Sequence, residues 1–425
     1  MNLTICFYED EHFRRFLPFT YLRPVCCMRS GIVPLFQRAA RYFENPDICL
    51  GARHALAPIM GAEFRDYPFN IVKRHDGQPV LFLNGRLRDY GDLPRIVDGS
   101  RLVTKIVDST GQTAGVFFHP EVVSEIPVVA TPDQYAECLH RHRSDMTEAE
   151  SSATLYDRTW EILGDIEGEI AADFKHLRPG LGKPSGVRIH NGARAIKSDQ
   201  VYIGSGCEVL PGSVIDATDG PVFLGDNTRI ESHVAIYGPC YVGPNSLVVA
   251  GKIRGCSIGH TCRAGGEIEQ TVFQSYVNKY HAGFIGHSYV GSWVNFGAMT
   301  TNSDLKNNYS AIQVSVEGQL VDTGSIKIGS FIGDHTKFGI GTLLNTGINI
   351  GVCCNLFGGT LITEREVPSF RWGNSSGYEV YRFDKAIETV RRAAERRNVT
   401  LSVGEESLLR AVAEGRIDET GLLTF

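Results

Sequence analysis

Aliphatic and aromatic residues return every six positions through much of the second half of the chain, and this period limits the possible folds more than any other feature. Ile203, Val209 and Ile215 form one series, and Leu224, Ile230, Ile236, Val242 and Val248 form the next. Ile326, Ile332, Phe338, Leu344, Ile350, Leu356 and Ile362 keep the same step through a third. A glycine often follows in register, as at Gly204, Gly225, Gly243, Gly259, Gly291, Gly329, Gly333 and Gly351. A lone helix repeats at 3.6 residues and a strand at 2, and neither returns glycine to a fixed station. A parallel β-helix does. Each short strand turns an apolar side chain inward, each glycine-favouring corner turns the chain, and stacked coils bury one continuous column. A β-sandwich would instead show turns about every 8 to 12 residues.

Residues 1–180 read differently. "NLTICFYED", "DICLGA", "PVLFLNGRL" and "SRLVTKIVD" are strand-like apolar runs, with helix-like segments such as "GIVPLFQRAARYFE" between them. This is an α/β pattern. Residues 159–174 read as a polar helix leading into the repeat domain, residues 181–368. In the remaining tail, residues 369–425, "VPSFRWGNSSG" breaks regular structure around its start. An amphipathic helix over 383–397 follows. Ser402 and Glu405 have the spacing of a capping box for a second helix that Gly415 closes. The tail reads as a packing or assembly element.

With 42% hydrophobic and 21% charged residues in 425, the chain has enough apolar material for two or three domains. No run of about 18 apolar residues exists, and residues 1–10 lack the basic-then-apolar order of a secretory signal, so a cytoplasmic location is expected. The eleven cysteines are an odd number, include the adjacent pairs Cys26/Cys27 and Cys353/Cys354, and form no C-x-x-C; packed, reduced thiols are expected. A net charge of −6 without a basic block gives no electrostatic case for nucleic acid.

Four stretches carry a family resemblance: "LPFTYLRPV" (17–25), "GGEIEQTV" (265–272), "NKYHAGFIGHSYVGSWVNFGAMTTNSDLKNNY" (278–309) and "PSFRWG" (368–373). With the α/β front and hexapeptide rear, the chain resembles the GlmU-type enzymes, which acetylate glucosamine-1-phosphate and uridylylate the product. It looks closest to the alternate bacterial GlmU group of sugar nucleotidyltransferases. The resemblance implies a left-handed β-helix of three-sided coils, a homotrimer with acyl-transfer sites between neighbours, and acetyl-CoA as donor. The acceptor would be an amino-sugar phosphate or nucleotide sugar. A fully bifunctional enzyme and a non-catalytic, sugar-nucleotide-binding trimeric scaffold are the alternatives.

In GlmU-like acetyltransferases the catalytic base is a histidine thirteen positions before the valine of a "VNIGAG"-like segment. Val294 opens "VNFGA" here, and thirteen positions back stands His281. An imidazole near neutrality can take a proton from an amine as it attacks a thioester. His287 falls at a turn and takes an orienting role. The resemblance makes the Ala298 N–H the oxyanion donor, beside Gly297, and places Asp334 and Gly358 along the acetyl-CoA cleft. The acceptor-holding asparagine of the family falls on Asp304 without gaps and on Asn302 with a two-residue gap. Lys306, Lys279 and Arg254 are candidates for a sugar phosphate. Hexapeptide β-helices also include zinc carbonic anhydrases, whose last two histidine ligands are five apart. His281 and His287 are six apart, which puts them on equivalent faces rather than around one ion, and His260 and His335 lie outside the pattern, so no metal is expected.

Sugar nucleotidyltransferases cradle the triphosphate with a glycine-rich loop after the first strand. This chain has no glycine before Gly31 and offers Arg14, Arg15 and Arg23 instead. Where the family holds Mg²⁺ with an aspartate, "FLNGRL" presents Asn84, a poor replacement for a carboxylate. Nucleotide or nucleotide-sugar binding through Arg14, Arg23 and Asn84 is therefore expected rather than nucleotidyl transfer.

Overall fold

The computed structural model describes residues 3–75, 77–100, 102–129, 132–417, 419 and 421–422. The front domain holds a six-stranded sheet in the order Asp47–Leu50, Thr4–Tyr8, Val80–Asn84, Thr113–Phe118, Val103–Val107, Met146–Glu150. All four strand-like runs of the sequence lie in it. Thr113–Phe118 runs antiparallel to both neighbours, so the sheet is mixed. The expected helix after Gly31 is instead a 3₁₀ turn, Leu35–Arg41. Seven residues are too few for an α-helix to stand alone, and a 3₁₀ turn brings residues three apart into line. Arg38 and Arg41 thereby both reach Glu169, at 3.2 and 2.7 Å. The helix expected over 159–174 is two, Thr159–Gly164 and Ile166–Leu177, broken at Asp165. That carboxylate accepts from Arg88 at 2.8 Å and from the Tyr156 hydroxyl at 3.0 Å.

From Arg188–Ile189 to Glu366–Val367 the chain winds as a parallel β-solenoid, each strand pairing with its counterpart one coil on. One face is a nine-stranded sheet running from Val201–Ile203 to Glu366–Val367. A fifteen-stranded sheet wraps the other two, because the strands Leu247–Arg254 and Arg263–Glu269 continue through the corner between them. The third face ends in a three-stranded sheet, Thr301–Asn302, Leu343–Leu344 and Leu361–Ile362. The hexad residues from Val209 to Ile362 fill the buried column, with one exception. Ile326 is 49% exposed, on an insertion (303–329) that carries the hairpin Gln313–Val316/Gln319–Asp322.

The corner after the nine-stranded face departs from the expectation that glycines make the turns, whereas Gly212, Gly283, Gly341 and Gly359, with φ from 65° to 124°, meet it at the corner after the middle face. After the nine-stranded face, one residue per coil adopts a left-handed conformation: Asn227, Asn245, Thr261, Tyr276, Trp293, His335, Cys353 and Phe370, with φ between 54° and 65°. None is glycine. The glycines two residues earlier serve close stacking instead: a Cβ on Gly243 would lie 2.6 Å from the Gly259 carbonyl carbon. Because the same residue of each coil takes the same turn, side chains pile into ladders. The Tyr276 and Trp293 rings stack at 3.9 Å and 4°.

The front domain is welded to the nine-stranded face. Phe13, Phe16 and Phe19 pack with Tyr241, Tyr289 and Phe331, and Tyr289 Oη accepts the Arg29 N–H at 2.9 Å. Arg23 reaches through this contact to Asp334, at 2.5 and 3.0 Å, with both side chains almost wholly buried. The tail helix Phe383–Glu395 places Ala386, Ile387 and Val390 against Val352, Cys353 and Phe370, beside Leu22 and Ile59 of the front domain. The capping box of the last helix, Val403–Ala413, forms as its sequence predicts. All eleven cysteines are buried free thiols. Among the described residues no helix is long and apolar enough to cross a membrane.

Removing one partner of a buried ion pair leaves an uncompensated charge, at a cost of about 3–5 kcal/mol. Arg23→Met is therefore expected to lower urea resistance by that order, and Arg23→Met/Asp334→Leu to recover most of it. Equal losses in the single and double variants would show that the pair does not hold the two domains.

Candidate functional site

Each coil turns three corners. The first follows the nine-stranded face, the second (280–283, 297–300, 339–342, 357–360) lies after the middle face, and the third holds 287–288 and the insertion. His281 sits on the second corner, exposed, with the Tyr280 ring edge-on at 5.2 Å. Gly297 and Ala298 occupy the same corner one coil on, where neighbouring strands are about 4.8 Å apart. The Gly297 and Met299 N–H groups donate to Phe338 and Ala282, at 2.9 Å each. The Ala298 N–H between them has no acceptor among the described residues. An unpaired amide beside an imidazole can receive charge developing on a carbonyl oxygen. Gly283 keeps this corner in register: its φ is 124°, and a Cβ there would lie 2.2 Å from the Thr300 carbonyl oxygen. Gly358 belongs to the same corner further along.

The other sequence candidates are elsewhere. Lys279 does not face a phosphate; it occupies an inward station of the column, level with Ala264, and is 0% exposed. Its ammonium donates to the carbonyls of Gly265 and His281, so it anchors the His281 corner from inside. Burial pushes its pKa down to about 8. Asn302 also points inward, bridging Gly286 N, Gly286 O and Ser288 Oγ at 2.9, 3.0 and 3.0 Å. Asp304 stands on the third corner and pairs with His287 Nδ1 at 2.7 Å. Burial raises the Asp304 carboxyl, but the hydrogen bond and charge of His287 outweigh it and hold it below the usual range. His287 lines a cavity of about 420 Å³ with Trp160, Gln270 and Lys327. Lys306 bonds within its own loop, to the Ala311 carbonyl at 2.7 Å, and Arg254 lies over the Tyr237 ring. Asp334 is engaged by Arg23 and lines a cavity of about 260 Å³ at the first corner with Glu63, His260 and His335. His260 and His335 belong to the first corner with Tyr276 and Trp293.

The front-domain candidates do not converge either. Arg14 is half-buried and pairs with Glu317 and Glu419, while Arg23 is the buried partner of Asp334. Asn84 closes the crevice at the strand ends, donating to Asp10 Oδ2 at 2.8 Å. Arg86 chelates the same carboxylate at 2.8–3.1 Å, and Arg53 neutralises the adjacent Glu9 at 2.9 Å. Burial raises the Asp10 carboxyl, yet Arg86 and Asn84 prevail and hold it low. This donor set does not fit Mg²⁺, because each carboxylate already has a guanidinium.

Residues 5–180 match the sugar nucleotidyl transferase family. A bifunctional sugar-1-phosphate nucleotidylyltransferase/acetyltransferase of Sulfurisphaera tokodaii is 28% identical over 160 residues, 36% of this chain and 37% of that protein. The bifunctional protein GlmU of an Azoarcus species is 28% identical over 265 residues, 60% of this chain and 49% of that one. The chain is similar to GlmU-type bifunctional proteins over part of its length. Its matches span about half or less of these two relatives. A UDP-N-acetylglucosamine acyltransferase from Campylobacter jejuni is covered over 98% of its length at 13% identity, with a TM-score of 0.22. The solenoid assignment rests on this chain's own strand ladder. Sequence reasoning missed a basic cluster on the tail, although "RRAAERR" (391–397) signals it.

The inward lysine yields a prediction with a definite sign. The folded Lys279 amine releases its proton near pH 8, whereas the unfolded one holds it to about 10.4. Between these values the unfolded chain binds more protons, so wild-type stability rises with pH. Lys279→Met is expected to gain most against wild type below pH 8 and to lose that advantage, on the order of 3 kcal/mol, by pH 10.5. A pH-independent difference in urea midpoints would contradict the placement.

Proposed function

We propose that the solenoid is an acyltransferase that moves the acetyl group of acetyl-CoA to the amine of an amino-sugar phosphate or nucleotide sugar. The observation that carries this reading is the open second corner, where the exposed His281 imidazole lies one coil from the unpaired Ala298 amide. As the amine attacks the thioester carbonyl a C–N bond forms, and the negative charge on the carbonyl oxygen meets the Ala298 N–H. His281 takes the amine proton. Collapse breaks the C–S bond, and the proton passes to the departing thiolate. The GlmU-type relatives, named as nucleotidyltransferase/acetyltransferases, support the class of reaction.

A homotrimer fits the surface around this corner. Tyr280, Met299, Ile340, Leu343 and Leu361 are 38–75% exposed beside His281 and Ala298, a stripe that lateral association of left-handed coils would bury. The front domain has no transfer step in this reading. Its strand-end crevice is closed by the Asp10–Arg86 and Glu9–Arg53 pairs, which disfavours nucleotide binding through Arg14, Arg23 and Asn84 as well as catalysis. One observation favours a second reading of the base: the His287–Asp304 pair has the arrangement of an oriented imidazole and opens onto its own cavity.

His281→Ala is expected to reduce thiol release from acetyl-CoA, with glucosamine-1-phosphate as acceptor, by about 10²-fold or more, and His287→Ala by less than about tenfold. A larger loss at His287 would move the base to the third corner. Light scattering should give three times 46.8 kDa, and a monomer at micromolar concentration would overturn the trimer. UTP, Mg²⁺ and a sugar-1-phosphate should give no enzyme-like pyrophosphate release, and turnover would restore the bifunctional alternative.

A further inference from the structure

We propose that the cavity between the tail helix Phe383–Glu395 and the middle face of the solenoid binds the phosphate group of a small phosphorylated ligand, about the size of a sugar phosphate. The cavity measures about 350 Å³ and is walled by five cations: Arg263 and Lys337 from solenoid strands, and Arg392, Arg396 and Arg397 at the end of the helix. Among the described residues no carboxylate lines it. Arg392 bonds Glu388 at 2.6 Å on its own helix. The guanidiniums of Arg263, Arg396 and Arg397 have no ion pair or hydrogen bond among the described residues.

Basic residues in a last helical turn favour the helix dipole, and that accounts for Arg392 and its neighbours. It does not account for the opposite wall. Arg263 and Lys337 arrive from separate coils and confront the helix arginines with like charge. Burial lowers the Arg397 guanidinium, and Arg263 and Arg396 lower it further, which places the three within mutual repulsion. Burial likewise pushes the Lys337 amine down to about 8, although it donates to the Trp293 carbonyl. Cations crowded without counter-charge cost stability when the cavity is empty, and a phosphate with several acceptor oxygens reverses that cost. Beside them Asn278 Nδ2 donates to Asn295 Oδ1 at 2.7 Å, leaving Asn278 Oδ1 buried without a donor. This orphan acceptor suits a hydroxyl carried with the phosphate. The volume is at the small end of ligand pockets, about 300–1,000 Å³, which admits a sugar phosphate and not a dinucleotide. The inference does not depend on acyl transfer, because it concerns binding alone.

The test is calorimetric titration of the full chain with inorganic phosphate, glucosamine-1-phosphate and glucosamine. Both phosphates are expected to bind and glucosamine not to. Arg396→Gln/Arg397→Gln should weaken phosphate binding by about tenfold to a hundredfold. The thermal midpoint of the ligand-free variant should equal or exceed that of wild type, since repulsion is relieved, and phosphate should raise only the wild-type midpoint. Tighter binding of the sugar phosphate than of phosphate would identify a phosphorylated sugar as the ligand; equal binding would identify free phosphate. Phosphate heats unchanged in the variant, or displacement of phosphate from this cavity by coenzyme A, would overturn the proposal.

Discussion

Parallel coils stacked strand on strand give each residue a counterpart one coil above and below, and the rest of the structure follows from that repetition. Where backbones meet at a corner, glycine is required because a Cβ would enter the next carbonyl, as at Gly243 and Gly283. Where the chain turns left-handed, the residues differ in type but share a φ, from Asn227 to Phe370. The same repetition explains why the candidate groups collect at corners. The first is covered by the front domain and tail, and the third is flanked by the insertion and the helix Thr159–Gly164. The second stays open and holds His281 and Ala298.

The coupling of the two domains alters what the front domain can do. Its first strand feeds directly into the segment holding Phe13, Phe16, Phe19 and Arg23, which serves as packing for the solenoid. A loop committed to burying aromatic rings is not available to wrap a triphosphate. The charges left at the strand ends neutralise one another through Asp10–Arg86 and Glu9–Arg53. The domain resembles a sugar nucleotidyl transferase in sequence, while its crevice is built as a hydrogen-bonded core.

The solenoid was legible in the sequence because a hexad is a local pattern, and apart from Ile326 the residues from Val209 to Ile362 fill the column it predicts. The physical role of the glycines was not: close stacking and positive φ leave the same residue in the sequence. Lys279 looked like a surface cation, since one lysine carries no sign of facing inward; only its register with Ala264 reveals it. Arg23 and Asp334 lie 311 residues apart, and no spacing links them. His281 and Ala298 were picked out by the family resemblance, and the seventeen-residue coil at this point, from Asn278 to Asn295, sets them level. Asn302 and Asp304 could not be separated by alignment, and the structure sends one into the column and the other to His287.

The central claim is that acyl transfer belongs to the open second corner. The most direct measurement is a crystal structure of the full chain with acetyl-CoA bound. The account predicts the thioester carbonyl oxygen about 2.7–3.1 Å from the Ala298 nitrogen, with His281 facing the same carbon and a second copy of the chain closing the cleft. A thioester seated instead in the cavity beside His287 and Asp304 would contradict it.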